Sequence, residues 1–212
     1  MILEMPDYGQ HIVFLGSTGS GKSHLAEAML NEYSRYVGID TQDSLAVNGA
    51  KLKNPNFLKQ YLWLYKRIHY VPNPDYMNRL SWDFVLRTLA FSSTKKKPKP
   101  KIVYIDEIYH LGFNQNFPVW LPKAVATCRQ KQISFWISTQ RPKMIPVATI
   151  SEASRIFIFY LSRGEDIEYI SKFARRDRKG FEKALLEQKN DYSFIEVNNR
   201  LGTWQKFNKI GG

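Results

Sequence analysis

The chain has 212 residues, 43% hydrophobic and 14% aromatic, so it can bury the core of one domain and is not intrinsically disordered. Its one cysteine, Cys128, excludes an intrachain disulfide and a cysteine-based zinc site. The formal net charge is +12, yet residues 1–50 contain only two of the 31 basic side chains and six of the 19 acidic ones. The rest of the chain is therefore strongly basic, which favours polyanionic partners such as nucleic acid.

Apolar runs alternate with stretches of helical periodicity along most of the chain. The predicted strands are 11–15, 35–39, 67–71, 102–105, 133–137 and 155–161, and the predicted helices are 23–31, 55–66, 75–91 and 118–130. Strands that are apolar throughout and separated by helices indicate a mostly parallel sheet covered on both faces. We expect residues 165–187 to form two short helices. Residues 192–197 and 203–207 are expected to form a hairpin.

The N-terminal ten residues do not have the pattern of a signal peptide, because they carry Glu4 and Asp7 and lack a basic region followed by an apolar one. No apolar stretch approaches the ~20 residues that a membrane span requires. We therefore expect a soluble protein.

The first predicted strand runs into a glycine-rich loop. Residues 16–23 fit the pattern G-x-x-x-x-G-K-[ST] at every fixed position, with a strand before them and a helix after. The N–H groups of such a loop point at a phosphate, and the following helix adds the positive end of its dipole. Lys22 is expected to reach the β- and γ-phosphates, and Ser23 to bind Mg²⁺. The predicted nucleotide-binding residues are Gly16, Ser17, Thr18, Gly19, Ser20, Gly21, Lys22, Ser23 and His24.

A second strand delivers two adjacent carboxylates, Asp106 and Glu107, at its carboxyl end. Beside a P-loop, Asp106 is expected to hold Mg²⁺ with Ser23. Glu107 is expected to orient or deprotonate the attacking water. A strand that ends in Asp-Glu is a weak signal alone, since such a pair also caps helices.

A third strand, 133–137, is followed by the polar sequence Ser-Thr-Gln-Arg-Pro at 138–142. Gln140 is a candidate γ-phosphate sensor. The alternative is that Thr139 and Gln140 only satisfy the strand end, where the chain turns at Pro142.

Together these three segments resemble the HerA/FtsK group of additional-strand, catalytic-glutamate ATPases, which are oligomeric DNA pumps. The small size resembles the genome-packaging ATPases of membrane-containing icosahedral viruses with double-jelly-roll capsids. The resemblance covers about residues 10–165. It implies an α/β P-loop NTPase with a mostly parallel central sheet and helices on both faces, in one domain spanning 1–212. The C-terminal helices and a small hairpin would occupy about 166–210.

The resemblance also implies roles for individual residues. Lys22, Asp106 and Glu107 match the phosphate-binding, metal-linked and catalytic groups. Gln140 matches a sensor on a strand that lies between the P-loop strand and the Asp-Glu strand. Arg129 matches an arginine that reaches the ATP of the neighbouring subunit, although a cation that stabilises the end of its own helix is an equal alternative. The reserve candidates for this arginine are Arg155 and Arg163.

The implied activity is ATP hydrolysis, with ATP and Mg²⁺ bound, coupled to the pumping of double-stranded DNA into a procapsid. The implied partners are a pentameric or hexameric ring of identical subunits, the DNA backbone, and a capsid or packaging-vertex protein. The implied location is the host cytoplasm and also the packaging vertex. The candidate DNA-contacting residues are Lys95, Lys96, Lys97, Arg175, Arg176 and Arg178, each of which is also consistent with an ordinary solvated surface.

Three other functions remain open from the sequence. A filamentous-phage-like assembly ATPase shares the P-loop and the Asp-Glu pair, but usually carries a membrane span. A small-molecule P-loop kinase needs an acceptor pocket and typically an arginine-rich lid, for which Arg175, Arg176 and Arg178 could be mistaken. A nucleotide-dependent interaction module that does not hydrolyse ATP has no need of Glu107.

Overall fold

The computed structural model of the chain describes residues 5–91, 100–112, 116–174 and 176–208. The strands are β1 Ile12–Leu15, β2 Tyr36–Asp40, β3 Ala50–Leu52, β4 Arg67–Tyr70, β5 Ile102–Asp106, β6 Ser134–Thr139, β7 Arg155–Ile158, β8 Phe194–Asn198 and β9 Thr203–Phe207. They form one nine-stranded sheet in the order β3-β4-β2-β5-β6-β1-β7-β8-β9.

Helices connect most of these strands. They are α1 Lys22–Asn31, α2 Leu58–Leu64, α3 Arg79–Phe91, α4 Trp120–Gln130, α5 Val147–Ser151, α6 Gly164–Ser171 and α7 Arg178–Leu186. Short 3₁₀ segments lie at Pro55–Phe57, Pro74–Tyr76, Ile108–Leu111 and Pro142–Met144.

The strands β1 to β7 pair in parallel, so their carboxyl ends lie along one edge of the sheet, the carboxyl edge. β6 pairs with β1 on one side and β5 on the other. The predicted strand between the P-loop strand and the Asp-Glu strand is therefore present. The structure confirms an α/β fold with a mostly parallel sheet.

The core has a layer on each face of the sheet, because successive strand residues point to opposite faces. Phe14, Tyr104 and Trp136 belong to the layer that packs against α1. Val13 and Ile105 belong to the other layer, which contains the buried side chains of α2 to α7. Helices thus cover both faces, as predicted.

Several predicted boundaries were wrong. The helix predicted at 55–66 begins as a 3₁₀ turn at Pro55, so α2 starts only at Leu58. The helix predicted at 75–91 is preceded by a similar turn, and α3 starts at Arg79. The strand predicted to reach residue 161 ends at Ile158, because Leu15, its partner in β1, is the last residue before the P-loop.

Two short elements, β3 and α5, were not predicted. The predicted hairpin is confirmed as β8 and β9, where β8 pairs antiparallel to β7 and β9 pairs antiparallel to β8. No helix in the described part of the chain is long and apolar enough to cross a membrane.

Candidate nucleotide-hydrolysis site

The P-loop connects the carboxyl end of β1 to the first turn of α1. Gly19 and Gly21 have φ values of +71° and +106°, which side chains rarely adopt. A Cβ on Gly21 would lie 3.0 Å from the Tyr192 ring and 3.3 Å from the Phe159 ring, whereas one on Gly19 would meet nothing within 4 Å. Glycine at 21 is thus required by backbone conformation and by packing, and glycine at 19 by conformation alone.

Lys22 is 6% exposed, and its Nζ donates a 2.9 Å hydrogen bond to the Ser17 carbonyl. Burial lowers the pKa of Lys22, and the carboxylates of Glu107 and Asp106 oppose that shift. The ammonium group therefore lies inside the loop and close to both carboxylates. This is the position from which a lysine contacts the outer phosphates of ATP.

Asp106 is the last residue of β5, and its Oδ1 accepts three hydrogen bonds. The donors are Tyr104 OH at 2.7 Å, Ser138 Oγ at 2.8 Å and Ser23 Oγ at 3.3 Å. A carboxylate beside a serine hydroxyl offers the oxygen ligands that Mg²⁺ prefers. Ser20 Oγ, also in the loop, is buried and has no hydrogen-bond partner in the described chain. These residues fit a bound Mg²⁺–triphosphate.

Glu107 is 8% exposed and has a left-handed backbone, with φ of +47°. Its carboxylate accepts hydrogen bonds from Thr139 Oγ1 at 3.0 Å and from the Gln140 backbone N–H at 3.1 Å. Its own N–H donates to Ser138 Oγ at 2.9 Å. Burial raises the pKa of Glu107, and the bonds from Thr139 and Gln140 act in the opposite direction. The carboxylate is therefore held in place by donors from β6 and from the residue that follows it.

Gln140 links β6 to the P-loop. Its Oε1 accepts a 2.7 Å hydrogen bond from Thr18 Oγ1. Gln140 thus contacts the loop through its side chain and Glu107 through its backbone. Gln140 therefore joins the P-loop to the Glu107 carboxylate.

The segment after β7 supports the loop from its other side. The Ser17 N–H donates to the Tyr160 carbonyl at 2.8 Å, and the Ser162 N–H donates to Ser17 Oγ at 3.0 Å. Sequence reasoning did not find Ser162, because the contact joins residues 145 positions apart. It also missed Tyr104, which a strand period of two places on the same face as Asp106.

The structure places Arg129 away from this site. It lies near the end of α4, at the edge where β6 begins, and its guanidinium binds the Glu152 side chain at 3.2 Å and the Glu152 carbonyl at 2.9 Å. Arg155 pairs with Glu196. Arg163 directly follows Ser162, and His24 is an exposed residue of α1.

Part of the predicted DNA-contacting set lies outside the described residues, namely Lys95, Lys96, Lys97 and Arg175. The Arg176 N–H donates to the Gly202 carbonyl at 3.1 Å, in the β8–β9 turn. Because Asn198 pairs with Arg155, this turn lies at the edge opposite the P-loop. Arg178 is the first residue of α7 and is exposed.

No family model matches the chain, and no curated protein matches its sequence. Solved structures do match its fold. The genome-packaging NTPase B204 of Sulfolobus turreted icosahedral virus 2, in complex with AMPPCP, is 18% identical with a TM-score of 0.74, over 98% of this chain and 100% of that one. B204, the DNA-packaging ATPase of Sulfolobus turreted icosahedral virus, is 17% identical with a TM-score of 0.72, over 97% and 100%.

VirB4 of Thermoanaerobacter pseudethanolicus is 12% identical with a TM-score of 0.69, over 95% of this chain and 89% of that one. The chain therefore has the fold of a P-loop NTPase, which it shares with these structures. This agrees with the fold implied by the HerA/FtsK resemblance.

Proposed function

We propose that this protein is an ATP-hydrolysing motor that translocates double-stranded DNA, of the kind that packages a viral genome. The observation that carries the proposal is the convergence of Lys22, Asp106, Glu107 and Gln140 at the carboxyl edge. β6 stands between β1 and β5, as expected for the additional-strand ATPases. The match to B204 extends over nearly the whole of both chains, which supports a function of the same class.

The reaction follows from the positions of these groups. The P-loop N–H groups and Lys22 bind the triphosphate, and Ser23 and Asp106 would hold Mg²⁺, which would supply positive charge to the phosphate oxygens. Glu107 takes a proton from the attacking water, and the oxygen of that water bonds to the γ-phosphorus. The bond from that phosphorus to the bridging oxygen breaks, giving ADP and phosphate.

We further propose that the subunits form a homo-oligomeric ring around the DNA, docked on a capsid or packaging-vertex protein in the host cytoplasm. Phosphate contacts suit this task, because they bind the DNA backbone without reading its sequence. Arg129 is proposed to act on the ATP of the neighbouring subunit, since the two sides of a ring contact are different surfaces of the same chain.

The test is steady-state ATP hydrolysis at stated low salt, with and without long double-stranded DNA. We expect DNA to raise turnover. Glu107→Gln should abolish turnover and leave ATP binding intact, whereas the control Glu187→Gln, on the exposed end of α7, should behave as wild type. Turnover that ignores DNA would refute the motor. Phosphate transfer to a small acceptor would instead support the kinase.

Complementation tests the arginine. Lys22→Ala should inactivate a subunit's own site, while leaving its Arg129 able to serve the neighbouring subunit. Arg129→Ala should leave the subunit's own phosphate-binding site intact but remove the arginine that serves the neighbouring subunit. Each variant alone is expected to be inactive, and an equimolar mixture should regain part of the wild-type rate. A mixture no more active than its components would exclude the role in trans.

A further inference from the structure

The outer side of α2 exposes large apolar side chains beside Lys59 and Gln60. Leu58 and Leu62 are buried against the sheet, which turns the opposite side of this short helix to solvent. That side and the residues that flank it expose large apolar side chains at 42% to 64% of their area. We call these residues the α2 face: Phe57, Trp63, Leu64 and Tyr65.

The segment that contains the α2 face is basic, and most of its basic side chains have no acidic partner among the described residues. Residues 44–74 contain five lysines and arginines and no aspartate or glutamate. Lys51 pairs with Asp43. Arg67 donates hydrogen bonds to backbone carbonyls. Lys53, Lys59 and Lys66 are exposed, and none of them has a salt bridge in the described part of the chain.

The α2 face also lies apart from the nucleotide site. α2 connects β3 to β4, the two outermost strands at one side of the sheet. The P-loop follows β1, which lies four strands away from β4 in the sheet order. Binding at the α2 face would therefore leave the carboxyl edge around β1 and β6 accessible.

Two chemical features identify the occupant. Tryptophan and tyrosine favour the boundary between lipid headgroups and acyl chains, and leucine and phenylalanine favour the acyl region below it. Exposed lysines beside such residues are attracted to anionic headgroups. In a two-fold contact a second copy would present the same basic face, whose charges would repel, and a DNA strand would gain little from Leu64.

We propose that the α2 face docks the protein on an anionic lipid bilayer. Trp63 and Leu64 enter the headgroup layer, and Lys53, Lys59 and Lys66 lie over anionic headgroups. This inference does not depend on ATP hydrolysis or on DNA binding.

Flotation with phosphatidylcholine vesicles, with and without phosphatidylglycerol, tests this docking. The wild-type chain should float with the anionic vesicles and not with the neutral ones, and salt should weaken its binding. The double variant Trp63→Ser/Leu64→Ser should lower partitioning on the order of tenfold or more. Leu186→Ser is the matched control, because Leu186 is 66% exposed on α7, and it should leave partitioning unchanged.

The charge contribution has its own variant and control. Lys59→Gln/Lys66→Gln should lower partitioning by about fivefold per lysine. Lys179→Gln/Lys189→Gln removes the same charge from the exposed surface around α7 and should have a smaller effect.

Three results would overturn the proposal. The first is a wild-type chain that does not float with anionic vesicles. The second is equal loss of flotation in the α2 variants and their controls, which would indicate general charge attraction. The third is that the Trp63→Ser/Leu64→Ser variant keeps its flotation and changes subunit assembly or DNA binding instead.

Discussion

Replacing Thr139 by valine should change the pH at which ATP hydrolysis begins. Thr139 is fully buried at the end of β6, and its hydroxyl is one of two donors to the Glu107 carboxylate. Valine has nearly the same shape but no hydroxyl. The Gln140 backbone N–H would then be the remaining donor among those that the structure shows. The Thr139 hydroxyl also accepts a hydrogen bond from the Arg141 N–H at 3.1 Å, so the substitution removes two polar contacts and leaves the packing nearly unchanged.

The direction follows from the causes of the shift. Burial raises the pKa of Glu107, and the Thr139 hydrogen bond lowers it by favouring the ionised form. Without that bond the carboxylate protonates at a higher pH, and a protonated Glu107 cannot accept the proton of the attacking water. A hydrogen bond to a charged group contributes about 1.5–3 kcal/mol, and one pH unit corresponds to about 1.36 kcal/mol. The acid limb should therefore move up by about one to two pH units.

The assay is kcat/KM for ATP, measured from about pH 5 to about pH 9. Thr139→Ser retains a hydroxyl and should return the acid limb towards its wild-type position. Thr149→Val removes a buried threonine hydroxyl of α5, outside the site, and should leave the limb unchanged. If the acid limbs of Thr139→Val and wild type coincide, Thr139 does not control the ionisation of Glu107.

Three further predictions concern other parts of the molecule. Gly21→Ala should weaken ATP binding more than Gly19→Ala in titrations, because alanine is strained at both positions but meets aromatic rings only at 21. Burial lowers the pKa of His11 to about 4, from 6.5, so its contribution to stability is complete above 6.5 and is lost as pH falls through 4. Denaturant unfolding should then show a loss of about 2 kcal/mol between pH 8 and pH 5 that is absent in His11→Gln. Tyr104→Phe removes a donor to Asp106 and should raise the Mg²⁺ concentration needed for half-maximal turnover several-fold.

The central part of the site could be predicted because each of its groups follows its own strand. Asp106 is the last residue of β5, Gln140 directly follows β6, and Lys22 is the first residue after the loop that follows β1. Parallel strands end at the same edge of a sheet, so residues far apart in the chain meet there. The pattern of apolar strands and helices was sufficient for this argument.

Other features depend on contacts that local patterns do not encode. The bond between Ser17 and Ser162 requires β7 to lie beside β1, and an apolar run does not specify its neighbour in a sheet. The positions of Pro55 and Pro74 were visible in the sequence, but helical periodicity continued across both turns. Proline fixes φ and is tolerated at the start of a helical turn, which explains the 3₁₀ segments there.

The position of Arg129 is consistent with its proposed role in a ring. An arginine that acts on its own nucleotide has to lie at the carboxyl edge, whereas Arg129 lies where β6 begins. Its two hydrogen bonds to Glu152 fix the guanidinium before any partner arrives, so less conformational entropy is lost on contact. The same bonds would also stabilise a purely structural arginine. The mixing experiment separates a catalytic role from a structural one, because only a catalytic Arg129 lets a subunit with an inactive site restore hydrolysis in its neighbour.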